Sequence, residues 1–213
     1  MKRMTLSLTA IAVAVATLPA IAQMPKAPPG APDAKRVTAG EYKADPGHTQ
    51  VGFTVNHMGF SLYRGIFGDV SGTLSLDPKA PDKAKVVIDI PIASVATTSA
   101  KLNEHLKSPD FFDAAKFPTA HFESTSVKVT GTTAVVSGNL TIKGVTKPVV
   151  LKAAFVGAGA MFNPMSKESS EQVGFEATTT INRSDYGVSY GIPLVPDAVP
   201  LTISVAFMKP AAK

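Results

Sequence analysis

The stretch Val136-Ser137-Gly138-Asn139-Leu140-Thr141-Ile142-Lys143-Gly144-Val145-Thr146-Lys147-Pro148-Val149-Val150-Leu151-Lys152-Ala153-Ala154-Phe155 decides how the rest of the chain is read. Val136, Leu140 and Ile142 share one face, interrupted by Gly138, and Val149, Leu151, Ala153 and Phe155 share one beyond the Lys143-Gly144 pair. Successive side chains of a strand point to opposite sides, so this period of two predicts half-buried strands separated by a turn. The same rhythm extends in both directions. Val51, Phe53 and Val55 alternate with small or polar residues, as do Leu74 and Leu76, then Ile88, Ile90 and Ile92, and then Phe122, Val127 and Val129. Val173, Phe175, Ala177, Thr179 and Ile181 follow, and Leu201, Ile203, Val205 and Phe207 close the series. Gly68-Asp69, Asp77-Pro78, Thr130-Gly131 and the Asp197 to Pro200 stretch supply turn chemistry between them.

About eight short alternating strands predict a mostly-β chain, an antiparallel barrel or sandwich. Closing the sheet removes its vulnerable edges, and about eight strands is the size at which a barrel can hold one small ligand. Pro91 cannot donate to a ladder, so the isoleucine strand is expected to be bulged or at an edge there. Ser99 to Ala115 breaks the rhythm: Leu102, His105, Leu106, Phe111 and Phe112 recur at three- and four-residue spacings, interrupted by Pro109. One or two short helical turns are expected, lying over an open side or end of the sheet.

The N-terminus bears on the compartment. Met1 to Arg3 are basic, Leu6 to Leu18 form a short apolar run, and Ala20-Ile21-Ala22 is a small-x-small site. This three-part pattern is that of a signal peptide spanning 1–22, cleaved before Gln23. The apolar run is shorter than the roughly 20 residues that span a bilayer. Residues 23–41, with Pro25, Pro28, Pro29 and Pro32, are expected to be a proline-rich linker, and 42–208 the folded domain. The expected home is the periplasm.

The 213 residues are 45% hydrophobic and 17% charged, the composition of a globular protein. Net charge is +5, to which Lys2 and Arg3 contribute two; so small a surplus argues against a nucleic-acid partner. The absence of cysteine excludes disulfides, thiolate metal sites, cysteine nucleophiles and a lipid-acylated N-terminal cysteine, so no stable membrane anchor is expected.

Several apparent motifs carry little chemistry. Gly187-Val188-Ser189-Tyr190-Gly191 matches the nucleophile elbow of serine hydrolases, but that elbow opens a helix, and Pro193 and Pro196 forbid one. The required histidine should follow the serine, whereas His48, His57, His105 and His121 all precede it. Those four show no metal-ligand spacing; His48 and His105 are expected to bond the backbone and hold loops, and no metal, cofactor or catalytic residue is assigned. Asp110, Asp113 and Glu123 read as solvated loop acids.

What remains is aromatic. All 11 phenylalanines lie beyond residue 50, several interleaved with glycine at Asn56-His57-Met58-Gly59-Phe60 and Arg64-Gly65-Ile66-Phe67-Gly68. Ser108 to Pro118 adds Phe111, Phe112 and Phe117. Glycine permits close backbone approach while the rings supply apolar surface, so these rings either plug a dry core or wall an apolar space.

At these stretches the sequence resembles the YceI-like family of periplasmic lipid- or polyisoprenoid-binding proteins. The resemblance is carried by Asp45-Pro46-Gly47-His48-Thr49, Val51 to Gly59, Gly65 to Leu74, His105 to Phe112, Lys116-Phe117-Pro118, Gly138 to Pro148 and Ile181 to Gly187. It implies an extended, lipocalin-like antiparallel β-barrel with a short helical insert, around a hydrophobic tunnel for an isoprenoid quinone, polyprenyl phosphate or fatty-acyl chain. Lipid contacts are then expected from Phe53, Val55, Met58, Phe60, Phe67, Phe111, Phe112, Phe117, Phe122, Phe175 and Tyr186. Arg64 and Arg183 lie in these motifs and are headgroup candidates, with structural pairing as the alternative use of each. The expected function is binding, transport or storage of a long apolar lipid, not as an enzyme. The alternative is an enzyme or redox partner acting on an isoprenoid or quinone, for which His48, His57 and Asp110 would be first suspects. Oligomeric state is open, a homodimer included.

Overall fold

In the computed structural model, residues 27–163 and 167–211 are described; the expected signal peptide at 1–22 lies outside them. The strands are β1 (Gly40–Ala44), β2 (Gln50–His57), β3 (Ser61–Phe67), β4 (Ser71–Leu76), β5 (Lys85–Pro91) and β6 (Val95–Ala96), then, after helix α1 (Ala100–Lys107), β7 (Thr119–Thr130), β8 (Thr133–Ile142), β9 (Val145–Asn163), β10 (Glu168–Asn182) and β11 (Ala198–Pro210). Every pairing is antiparallel, and the order β1-β4-β5-β7-β8-β9-β10-β11 closes on itself through Lys43↔Met208 and Ala44↔Phe207. The result is the expected mostly-β, eight-stranded closed barrel with one helix.

Eleven segments make eight staves because three staves are bent. β1 and β2 both pair with β11, and their partners β4 and β3 are likewise consecutive in the chain. β5 and β6 repeat the pattern against β4 and β3. Pro91 ends β5 beside Thr119, whereas the β4 ladder has already stopped at Ser71↔Asp89, so its missing donor falls where β4 no longer offers an acceptor.

Alternation sets the interior. Val199, Leu201, Ile203, Val205 and Phe207 of β11 all face the bore, which gives it a length of roughly 26 Å at a strand's rise per residue. In β7, Ala120 and Phe122 face inward at even positions but Val127 and Val129 at odd ones. A register shift between Ser124 and Ser126 against β8 changes the phase, as a β-bulge does.

The insert forms the expected short helix. Ser99 caps α1 by accepting a hydrogen bond from the Leu102 amide at 3.2 Å, and the helix packs Leu106 into the core. Within the stretch expected to be a proline-rich linker, the described residues 27–41 lie against the barrel. Ala31 forms a two-way backbone bridge with Ala158 on the edge of β9 beyond the end of β8, a 3-10 turn follows at Ala34–Arg36, and Ala34 and Val37 face the bore. The leader fits because β9 carries glycine there: a Cβ at Gly159 would sit 2.2 Å from the Pro29 carbonyl.

Candidate functional site

The bore holds two apolar chambers that share Val51 in their walls. The larger, about 680 Å³, lies in the half roofed by α1, the 108–118 segment and the 187–197 loop; the smaller, about 350 Å³, lies in the half closed by the leader. Phe53, Val55, Met58, Phe67, Phe111 and Phe112 line the larger chamber, as does Tyr186. Phe122 and Phe175 line the smaller. Two of the expected lipid contacts are placed elsewhere. Phe60 is 87% exposed at the β2–β3 turn, and Phe117 lies against Gly144 of the β8–β9 turn, outside both chambers.

Sequence reasoning passed over Phe155 and Phe207, which meet Phe175 edge to face with ring centres 5.9 and 6.5 Å from it. The period-two pattern of β9 and β11 carried that signal. In the larger chamber Phe67 bridges Phe53 at 5.9 Å and Phe112 at 5.5 Å, the latter edge to face, an arrangement that favours aromatic pairs. At the chamber's outer end His105, Phe111 and Tyr190 form a mutual cluster with centroids 4.9 to 5.2 Å apart.

Glycine makes room for the rings. Gly65 stands opposite Phe53 across the β2–β3 pair, and a Cβ there would lie 2.3 Å from the ring; Gly138, diagonal to Phe122 across the β7–β8 pair, leaves room in the same way, its Cβ 2.4 Å from that ring. Gly65→Val is therefore expected to push the Phe53 ring into the larger chamber and to lower the amount of apolar probe the protein takes up. Fluorescence titration of wild type against variant checks this, and equal uptake contradicts it.

Neither arginine offers a free guanidinium to the bore. Arg64 is exposed on β3, opposite Thr54 and on the face away from Gly65 and Phe67. Arg183 is only 8% exposed, and its guanidinium donates to the carbonyls of Pro196, Val188, Tyr190 and Val195 at 2.8 to 2.9 Å. It holds the 188–196 loop over the chamber, with Asp197 accepting from the Ser184 amide and hydroxyl beside it. Those two hydrogen bonds hold the Asp197 carboxyl below its ordinary range, and desolvation lowers the Arg183 value. Arg183 thus has the structural use that was its alternative.

The histidines bond carboxylates rather than the backbone: His48 to Asp45 at 2.7 Å, His105 to Asp110 at 3.0 Å and His121 to Asp89 at 2.7 Å. His57 is exposed at the rim of the larger chamber. Among the described residues no three His, Cys, Asp or Glu side chains gather as metal ligands. Ser189 is exposed in the Arg183-held loop and opens no helix.

A YceI-like domain matches residues 42–207. The chain belongs to the YceI-like family. This YceI-like chain is 41% identical over 184 residues to a UPF0312 protein of Pseudomonas fluorescens, covering 83% of this chain and 90% of that protein. BcnA of Burkholderia cenocepacia is similar in fold, with a TM-score of 0.67 and 24% identity, covering 76% of this chain and 98% of BcnA. A polyisoprenoid binding domain from Saccharophagus degradans aligns with a TM-score of 0.60 and 16% identity over 79% of this chain and 98% of that domain. These last two comparisons concern the fold.

Proposed function

We propose that the barrel binds a long apolar lipid, such as an isoprenoid quinone, polyprenyl phosphate or fatty-acyl chain, and carries or stores it in the periplasm without chemical turnover. The observation that carries this reading is the apolar bore: two chambers of about 680 and 350 Å³ share Val51 in their walls and are lined by aromatic and aliphatic side chains; a long chain would run through both. Ligand sites generally occupy about 300–1,000 Å³. Burying ten chain methylenes yields about 8 kcal/mol, enough for roughly micromolar binding before association costs. The polyisoprenoid binding of the Saccharophagus neighbour accords with such a ligand. The signal-like N-terminus supports export, and the lack of cysteine is compatible with a protein that holds lipid inside rather than being anchored by it. A binding role also suits the histidines: His57 and His105 stand at the rim, and His105 is engaged with Asp110.

Protein purified without detergent is expected to release a lipid on organic extraction, seen intact by native mass spectrometry. No bound lipid in repeated preparations, together with no uptake of quinone or prenyl probes, would overturn the proposal. Val51→Trp, placed in the wall that the chambers share, is expected to weaken a long-chain probe at least about tenfold while a short one still enters the larger chamber, since overpacking blocks a filled path. Equal loss of both probes contradicts a chain that runs through both chambers.

A further inference from the structure

Among the described residues, the larger chamber is lined by a tyrosine that is buried as a residue yet has no hydrogen-bond partner for its hydroxyl. Tyr186 is 2% exposed and lines the chamber, yet its hydroxyl makes no hydrogen bond, and none contributes to its titration. The hydroxyl is not sealed in the core, where the enclosed unpaired side-chain atom among the described residues is Ser108 Oγ; it opens onto the apolar chamber, where a ligand oxygen would be its partner. Several other polar groups of the chamber are engaged. Tyr63 bonds Thr98, Ser99 caps α1, His105 bonds Asp110, and Arg183 is committed to four carbonyls. Arg183 and Tyr186 are the first and last residues of one 3-10 turn, so they lie on the same face of it. The arginine fixes the loop above; the tyrosine is left facing the cavity.

Resting on the lipid-binding reading above, we propose that the Tyr186 hydroxyl is the ligand's polar anchor and donates a hydrogen bond to a neutral oxygen acceptor, a ketone, quinone or ester carbonyl, on an otherwise apolar molecule. Charge argues for the neutral acceptor. A phosphate at this depth would need a cation, and the cation in reach, Arg183, has already spent four donors. Burial, and secondarily the Asp185 carboxylate, push the phenol's pKa up, so it remains a donor throughout the physiological range.

The test uses delipidated full-length protein and three probes of equal chain length: a methyl ketone, an n-alkane and an alkyl phosphate, each read by displacement of a fluorescent alkyl dye. Wild type is expected to prefer the ketone over the alkane about three- to tenfold, one net hydrogen bond, and to show no preference for the phosphate over the ketone. Tyr186→Phe should abolish the ketone-over-alkane preference. Ligand-free Tyr186→Phe should melt no lower than wild type, because it removes an unpaired hydroxyl without a structural partner. A ketone preference that survives the substitution, a phosphate that binds tightest, or a lower melting temperature of the ligand-free variant would each overturn the anchor while leaving the lipid reading standing. Wild type that binds none of the three probes overturns both.

Discussion

Arg183→Ala is expected to destabilise the protein by about 4 kcal/mol. The side chain is buried and serves carbonyls from Val188, Tyr190, Val195 and Pro196, so its removal leaves those acceptors unpaired above an apolar chamber. Hydrogen bonds to a charged group are each worth about 1.5–3 kcal/mol, and water that enters the opened loop recovers part of the loss. A single domain is generally stable by only about 5–15 kcal/mol, so such a loss should move the urea midpoint by a large fraction. Arg183→Lys should recover little, because one ammonium cannot reach acceptors that a planar guanidinium meets together. A loss below about 1 kcal/mol for the alanine variant would show that the loop holds its own shape.

Gly72→Ala should cost about 3 kcal/mol for a different reason. The residue has a φ of +148° in β4, opposite Ile88, and an added Cβ would stand 2.1 Å from the Val87 carbonyl oxygen and 2.9 Å from the Ile88 Cα. Both obstacles are backbone, so no rotamer change relieves the clash, and the conformation itself disfavours a side chain. At Gly65 the obstacle is the far end of a ring that can turn, so Gly65→Ala is the milder control. Thermal melting of the two variants side by side checks the contrast; equal midpoints contradict it.

Much of the barrel was legible because alternation is local. Val199 to Phe207 or Val149 to Phe155 state which side faces in without reference to any other strand. Gly68-Asp69 could be read as a turn, but nothing local says that the chain there, or at Asp45 to Thr49, continues into the next segment of the ring instead of reversing beside itself; closure of the ring decides that, and closure depends on all staves together. The phase change at Ser124 to Ser126 was equally hidden, because three small polar residues look alike whether they continue a ladder or bulge from it. The proline-rich leader was read from composition, which says that such chain is extended but not that an unpaired edge and two glycines on β9 are waiting for it.

The candidate site shows the same division. Phe53, Phe122 and Phe175 sat on strands whose phase could be read, and they line the bore; Phe67, expected from a glycine-interleaved stretch, lines it from β3. Phe60 and Phe117 sat in turns, where a ring's direction depends on tertiary contacts, and they lie elsewhere. Arg183 could have met a ligand or its own loop; the choice was made by carbonyls that converge only after the chain has folded.

The seam between β1 and β11 has a consequence for timing. Lys43 meets Met208, so the ring cannot close until almost the whole chain is available, and its final pairing spans nearly the full sequence. Folds dominated by such distant pairings reach the native state slowly, because the entropy of a long loop must be lost before the contact forms. Until β11 arrives, the apolar faces of the other staves have no completed interior to share, so a chain cut short before Leu201 should remain prone to aggregation instead of settling into a smaller barrel.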